Sequence, residues 1–299
     1  MAIKITSTKV VDPDELFIKL CVFGESGIGK TVLCGTAPNP IIISAEKGLL
    51  SLAHLDLPVI EVTTKPEVDE AYQFLLGSNE AKQYQTICLD SISEISEICL
   101  VEKKEENSDG RQYWMNLAQE IATMIRNFRD DLRFHVAFTA KMERVKDDYT
   151  GVTTHKSFMP GRNLSIALPY FFDMLFAMRL GEMEDGTGSY RYIQPQPSVD
   201  YEAKDRSGAL GNDEDMYNKE RPDLTYIFDK IKRHVVQNPG ALETAPNAVK
   251  TAAETPEFTA NEEEAAEHAE IAADAPNTRE FIETGDEDTD HGGVEEPED

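Results

Sequence analysis

Residues 24–31 read Gly24-Glu25-Ser26-Gly27-Ile28-Gly29-Lys30-Thr31, and the fold class is inferred from this segment and its neighbours. It fits the pattern GxxxxGK[ST] at every defined position. An apolar, β-rich run, Phe17–Phe23, precedes it, and a short helical segment follows from Lys30 until the prolines at 38 and 40. Glycines let such a loop curl until successive N–H groups face a phosphate, and the start of a helix adds positive potential. The stretch therefore predicts a strand, a phosphate-binding loop and a helix in succession.

The same eight residues predict a site for Mg-ATP. We expect all of residues 24–31 to contact the nucleotide, with Lys30 reaching the β- and γ-phosphates and the Thr31 hydroxyl ligating Mg²⁺. Asp90 ends the apolar run Thr86–Asp90 (TICLD), where an acid can hold the water shell of the metal. The alternative for Asp90 is a plain strand-end cap.

Hydrolysis also needs a group that orients or deprotonates water. Many P-loop ATPases place a glutamate directly after the metal-binding aspartate, but here that residue is Ser91. Glu46 follows the buried run Ile41–Ser44, and neighbouring parallel strands deliver their carboxyl ends to one crevice. Glu46 is therefore the predicted catalytic base, with an ordinary surface carboxylate as the alternative. Thr139, at the end of Phe134–Ala140, is a possible sensor of the γ-phosphate.

Strand and helix signals alternate over the first 237 residues, which predicts an α/β fold with a mainly parallel sheet flanked by helices. Near the end the pattern changes, because Asp173–Leu180 and Ser189–Gln194 flank a Gly-rich turn typical of an antiparallel hairpin. A closing amphipathic helix is predicted over Pro222–Val236. Strands are predicted at 17–23, 41–44, 58–62, 86–90 and 134–140, and further helices at 66–76, 92–104 and 113–128.

Composition separates a folded domain, 1–237, from an acidic tail, 238–299, which we expect to be disordered. The 299 residues carry a net charge of −27, of which nineteen acids and two bases in 241–299 contribute −17. This balance excludes a globally basic nucleic-acid binder but leaves room for a local basic surface. No run of 18 apolar residues or signal-peptide core occurs, so no membrane association is expected. The four cysteines form no CxxC pair, which favours buried reduced thiols in a cytoplasmic protein.

The segments GESGIGKT, SAEKG, CLDS and AKDRSG together resemble the RecA-like ATPase core over residues 16–236. Within that superfamily the chain is similar to small phage-encoded P-loop ATPases that act as single-strand annealing recombinases. RecA-type proteins place the catalytic glutamate in a pattern that Ser44-Ala45-Glu46 matches. The resemblance implies ATP hydrolysis, single-stranded DNA as a partner, assembly into a homo-oligomeric ring or filament, and contact with a single-strand-binding or other replication protein. It also implies the host cytoplasm as the location.

Lys204 and Arg206 are two cations at i, i+2, which share a side if the segment is extended. In RecA-like assemblies a Lys-x-Lys or Lys-x-Arg pair at this place reaches the γ-phosphate of the neighbouring subunit. The resemblance thus implies that Lys204 and Arg206 are catalytic residues acting in trans. A basic solvated loop is the alternative.

A candidate DNA-binding segment extends over Lys141–Arg162, where RecA-like proteins place DNA loops. It carries five basic and three acidic residues, with aromatic residues between them. This mixture suits sequence-tolerant binding of single strands through phosphate contacts and base stacking. The alternative is a solvated hairpin. The predicted DNA contacts are Lys141, Arg144, Lys146, Tyr149, Lys156, Phe158 and Arg162.

Three functions remain open from the sequence. The first is a recombination ATPase that binds single-stranded DNA. The second is a phosphotransferase or GTPase, although Asn218-Lys219-Glu220-Arg221 fails the base-reading pattern of GTPases and no Arg-rich lid occurs. The third is a replication accessory ATPase, such as a helicase loader, whose main partner is a protein.

Overall fold

The computed structural model describes residues 15–46, 48–106, 109–147, 149–183, 185–213 and 217–237. The predicted acidic tail lies outside these residues, so its disorder and the domain boundary at 237 stay predictions. The strands are β1 (Lys19–Phe23), β2 (Pro40–Ser44), β3 (Val59–Glu61), β4 (Thr86–Asp90), β5 (His135–Ala140), β6 (Met142–Lys146), β7 (Thr153–Ser157), β8 (Met174–Glu182), β9 (Ser189–Gln194) and β10 (Lys204–Asp205). The helices are α1 (Lys30–Cys34), α2 (Lys65–Gly77), α3 (Ile92–Glu106), α4 (Gly110–Arg126), α5 (Arg162–Phe171) and α6 (Leu224–Gln237).

One mixed sheet organises the described part of the chain. Its strand order is β10-β8-β1-β5-β4-β2-β3, and β9 also pairs with β8. The six strands from β8 to β3 run parallel, whereas β9 and β10 run antiparallel to β8. The carboxyl ends of the parallel strands therefore meet at one edge, where β5 separates the strand before residues 24–31 from the strand that ends in Asp90.

Both faces of this sheet are covered, which explains why its central strands β1, β4 and β5 are buried along their whole length. Alternate residues of β1, such as Cys21 and Leu20, belong to different core clusters. Helices α2 to α5 cover one face, while α1 and α6 cover the other. All four cysteines are free and buried, as predicted.

Helix α6 closes the second face, as its apolar spacing predicts. It buries Leu224, Ile227, Phe228 and Ile231. The Phe228 ring stacks on His135 with centroids 4.6 Å apart, and the Ile18 N–H donates to Nδ1 of His135 at 3.0 Å. Burial lowers the pKa of His135 to about 4, so this imidazole is neutral near pH 7.

The fold class predicted from the sequence is confirmed: a mainly parallel sheet flanked by helices, with an antiparallel hairpin formed by β8 and β9. One part of the architecture was not predicted, and another was expected only as the alternative to a DNA-binding segment. Helix α5 carries Pro169 in its interior and has no side-chain cap at its start. The β6–β7 hairpin forms a separate two-stranded sheet within the segment predicted to bind DNA. No helix among the described residues has the length and apolar character needed to cross a membrane.

Candidate nucleotide-binding site

Residues 24–31 form a tight loop between β1 and α1, and its glycines are required by geometry. At Gly24 a Cβ atom would lie 2.9 Å from the carbonyl oxygen of Met178 on β8, which is too close. At Gly29 the backbone has φ of 109°, a conformation that side chains disfavour. The side chain of Ile28 is buried in the core beneath the loop, so Ile28 can offer only its backbone to a ligand.

The Lys30 ammonium lies inside the loop. It donates to the carbonyl oxygens of Gly24 and Glu25 at 3.0 and 2.9 Å. Burial lowers the pKa of Lys30, while the carboxylates of Glu46 and Asp90 oppose that change. The loop thus holds a cation at its centre through weak carbonyl contacts that a phosphate can replace.

Asp90 joins two hydroxyls at the end of the sheet. Its Oδ2 accepts from Thr31 at 2.6 Å, and its Oδ1 accepts from Thr139 on the intervening strand β5. Thr139 therefore contacts the predicted metal-binding carboxylate directly. Hydroxyl and carboxylate oxygens are ligands that suit Mg²⁺.

Ser44 adds an observation that fits a hydrated metal ion. It pairs in register with Asp90 and is buried, yet its hydroxyl has no hydrogen-bond partner in the described part of the chain. A buried hydroxyl without a protein partner usually binds ordered water. The water shell of Mg²⁺ is the kind of partner that this hydroxyl lacks.

Glu46 lies one strand away from Asp90, after β2, and its carboxylate is exposed to the crevice. Oε1 of Glu46 accepts a hydrogen bond from the hydroxyl of Ser91. Ser91 follows Asp90 directly, at the position where many P-loop ATPases have a glutamate. Here Ser91 instead holds Glu46, which follows β2. Sequence reasoning named Glu46 but did not foresee Ser91 as its partner.

Two adjoining cavities surround this cluster. The first, of about 440 Å³, extends along α1 past Thr31, Val32 and Leu33 to Pro222. The second, of about 580 Å³, lies beside Glu25, Lys141 and Arg144. Both are lined by Ser26, Lys30 and Glu46, so Lys30 stands where they meet.

Lys204 and Arg206 lie away from both cavities, at the outer edge of β8. The Lys204 ammonium donates to the carbonyl oxygen of Pro169, and burial lowers the pKa of Lys204. The exposed Arg206 guanidinium pairs with Asp173 at 3.2 Å. Neither cation contacts the nucleotide crevice of its own chain.

The residues predicted to bind DNA fall into two groups, one beside the phosphate loop and one further from it. Lys141 is held by Glu94 and Glu97 of α3, both at 2.7 Å, and these hydrogen bonds raise its pKa despite burial. Arg144 on β6 pairs with Glu25 of the phosphate loop at 2.5 Å. These two cations therefore line the nucleotide crevice rather than a separate basic face.

The other predicted contacts lie further from the loop. Lys146 and Tyr149 are exposed at the tip of the β6–β7 hairpin, and Arg162 is exposed at the start of α5. Lys156 on β7 is half-buried opposite Glu143 on β6, and Phe158 is half-buried where the hairpin returns to the domain. The tip residues are thus the ones most open to a large ligand.

Sequence reasoning missed Arg191, which lines the first cavity beside Gly29 and Met178. Arg191 is 160 residues downstream of the loop, in a segment recognised only as one arm of a hairpin. Its place depends on the pairing of Arg191 with Leu180 across β9 and β8. No local motif signals such a contact.

A glycine-rich loop closed by Lys30, with Thr31 and Asp90 beside it, defines a P-loop NTPase site. Residues 16–207 match the model of a family described as an AAA domain, and the chain belongs to this family. The matched region begins before β1 and ends after β10, so it includes the crevice and most of the sheet. No curated protein matches the chain.

Proposed function

We propose that this protein is a Mg²⁺-dependent ATPase that acts on single-stranded DNA in recombination or replication. The observation that carries the ATPase proposal is that Lys30, Thr31 and Glu46 line one crevice, with Asp90 hydrogen-bonded to Thr31 and Glu46 held by Ser91. The resemblance to phage annealing recombinases supplies the DNA role and the host cytoplasm as the location. A helicase-loader role, with a protein as the main partner, is the competing outcome.

In the proposed reaction a water molecule attacks the γ-phosphorus while the bond to the β–γ bridging oxygen breaks. Glu46 takes the proton of this water, and ADP and phosphate leave. Lys30 exchanges the carbonyls of Gly24 and Glu25 for the phosphate oxygens. Thr31 and Asp90 would hold Mg²⁺, which would supply positive charge to the phosphates.

The proposed DNA contact is the tip of the β6–β7 hairpin. Tyr149 is fully exposed there and Lys146 lies beside it, which suits base stacking together with a phosphate contact. Arg144, in the middle of β6, touches the phosphate loop through Glu25. DNA bound at the tip would therefore lie on the same hairpin that contacts the phosphate loop.

Assembly is part of the proposal. Because Arg206 pairs with Asp173 outside its own crevice, any contact between Arg206 and a γ-phosphate requires a second subunit. Lys204 is held by Pro169, so Arg206 is the more available of the two cations for this role.

The ATPase proposal is tested by phosphate release from the full chain with ATP and Mg²⁺, with and without oligothymidylate. We expect turnover in the wild type, none in Lys30→Ala, and stimulation by the oligonucleotide. Equal turnover in Lys30→Ala and wild type would remove the site from the reaction.

Titration of a labelled oligonucleotide tests the DNA contact separately. Tyr149→Ala should weaken binding roughly 10-fold, since base stacking contributes about 1–3 kcal/mol per base. The matched control is Tyr217→Ala, which removes another strongly exposed tyrosine outside the hairpin. Turnover without any DNA binding would favour the loader role.

A further inference from the structure

Arg191 reaches the phosphate loop because β8 is longer than the strand beside it. Its pairing with β1 ends at Ala177, but β8 continues to Glu182 and carries β9 with it. Arg191 on β9 therefore stands at the level of the loop. A Cβ atom built on Gly29 would lie 3.4 Å from both Cδ and Nε of Arg191.

The guanidinium of Arg191 is exposed and makes no hydrogen bond or ion pair with the residues that the structure describes. The cations of the second cavity differ in this respect. Lys141 is occupied by two glutamates and Arg144 by Glu25. Arg191 is thus a free positive charge that faces the crevice.

The crevice is asymmetric in charge. Glu46 and Asp90 come from β2 and β4, on one side of the P-loop strand β1, whereas Arg191 comes from β9 beyond β8, on the other side. Lys30 lies between the two sides. A triphosphate bound across the loop would have the two carboxylates on one flank and the Arg191 cation on the opposite flank.

We infer that Arg191 binds the phosphate chain of the nucleotide, on the wall of the crevice opposite Glu46. The inference rests on the nucleotide site proposed above and adds a binding residue to it. An arginine beside the loop backbone donates several N–H groups from one planar group, which suits phosphate oxygens. Contact between the Arg191 plane and the base is the competing arrangement, and proximity to Gly29 favours the phosphates.

The test is direct titration of the full chain with ATP and Mg²⁺, comparing three replacements of Arg191. Arg191→Ala should raise Kd roughly 10-fold to 100-fold, as expected for a lost hydrogen bond to a charged group. Arg191→Lys keeps the charge and should retain much of the affinity, whereas Arg191→Gln keeps a planar end without the charge and should resemble Arg191→Ala. Thermal unfolding of each variant checks that the β8–β9 hairpin remains folded.

Arg111→Ala is the matched control, because it removes an exposed guanidinium at the start of α4, on the opposite face of the sheet. Its Kd should equal that of the wild type. An unchanged Kd in Arg191→Ala, or equal affinity in Arg191→Gln and Arg191→Lys, would overturn the phosphate contact. If the wild type and Arg111→Ala both fail to bind ATP, the nucleotide site itself is wrong.

Discussion

Ser91→Ala tests how the proposed base is held. Ser91 is completely buried, and its hydroxyl donates to the exposed Glu46 carboxylate while accepting from the N–H of Glu94 at 3.3 Å. A hydrogen bond to a charged group contributes about 1.5–3 kcal/mol, and an exposed acceptor places this one at the lower end. Since about 1.4 kcal/mol is a factor of ten in rate, turnover should fall roughly 10-fold.

A double-mutant cycle separates this role from damage to the fold. In the Glu46→Gln background, where turnover is already reduced by roughly 100-fold or more, adding Ser91→Ala should cost little, because Ser91 acts through Glu46. Ser96→Ala is the control, since it removes a buried hydroxyl within α3 that donates to the carbonyl oxygen of Ile92 in the same helix. Independent, multiplicative losses in the double variant would refute the proposed role of Ser91.

Three further predictions concern the proposed metal-binding carboxylate Asp90, the proposed assembly and the pH dependence of folding. Thr139→Val should lower the free energy of unfolding by about 1.5–3 kcal/mol in urea titrations, because Asp90 loses a buried donor; an unchanged midpoint would contradict this. Mixing Arg206→Ala with Lys30→Ala subunits should restore part of the ATPase activity, and full activity in a strictly monomeric protein would end the idea of action in trans. The His135 pKa is about 4 in the folded protein, below the ordinary 6.5, so stability should fall by up to about 3 kcal/mol as the pH drops from 6.5 to 4. His135→Gln should lack that part of the slope, and parallel curves for the two proteins would show that His135 does not cause it.

Much of the fold could be predicted because its signals are local. The loop 24–31, the apolar strands and the spacing of α6 each depend on residues close together in the chain. Helix α5 escaped because Pro169 interrupts its pattern. The β6–β7 hairpin was predicted only as an alternative, because half-exposed strands of mixed polarity carry a weak signal.

Some residues of the candidate site could likewise be predicted from local patterns, and others could not. Lys30, Thr31 and Asp90 stand in or directly after strong local patterns, and the structure brings Thr31 and Asp90 into contact. The contact between Ser91 and Glu46 arises because β2 and β4 are neighbours in the sheet. Arg191 reaches the loop because β8 is long. Strand order and strand length arise from the packing of the whole domain, so no short segment encodes them.

The ion pair between Arg144 and Glu25 connects the β6–β7 hairpin weakly to the phosphate loop. Both side chains are more than half exposed, and a pair of this kind contributes at most about 1 kcal/mol. An ion pair this weak breaks and re-forms at ambient temperature, and any anion that binds Arg144 in place of Glu25 keeps it broken. A change in ionic strength should therefore alter the fraction of molecules in which the hairpin is paired with the phosphate loop, even without DNA or a second subunit.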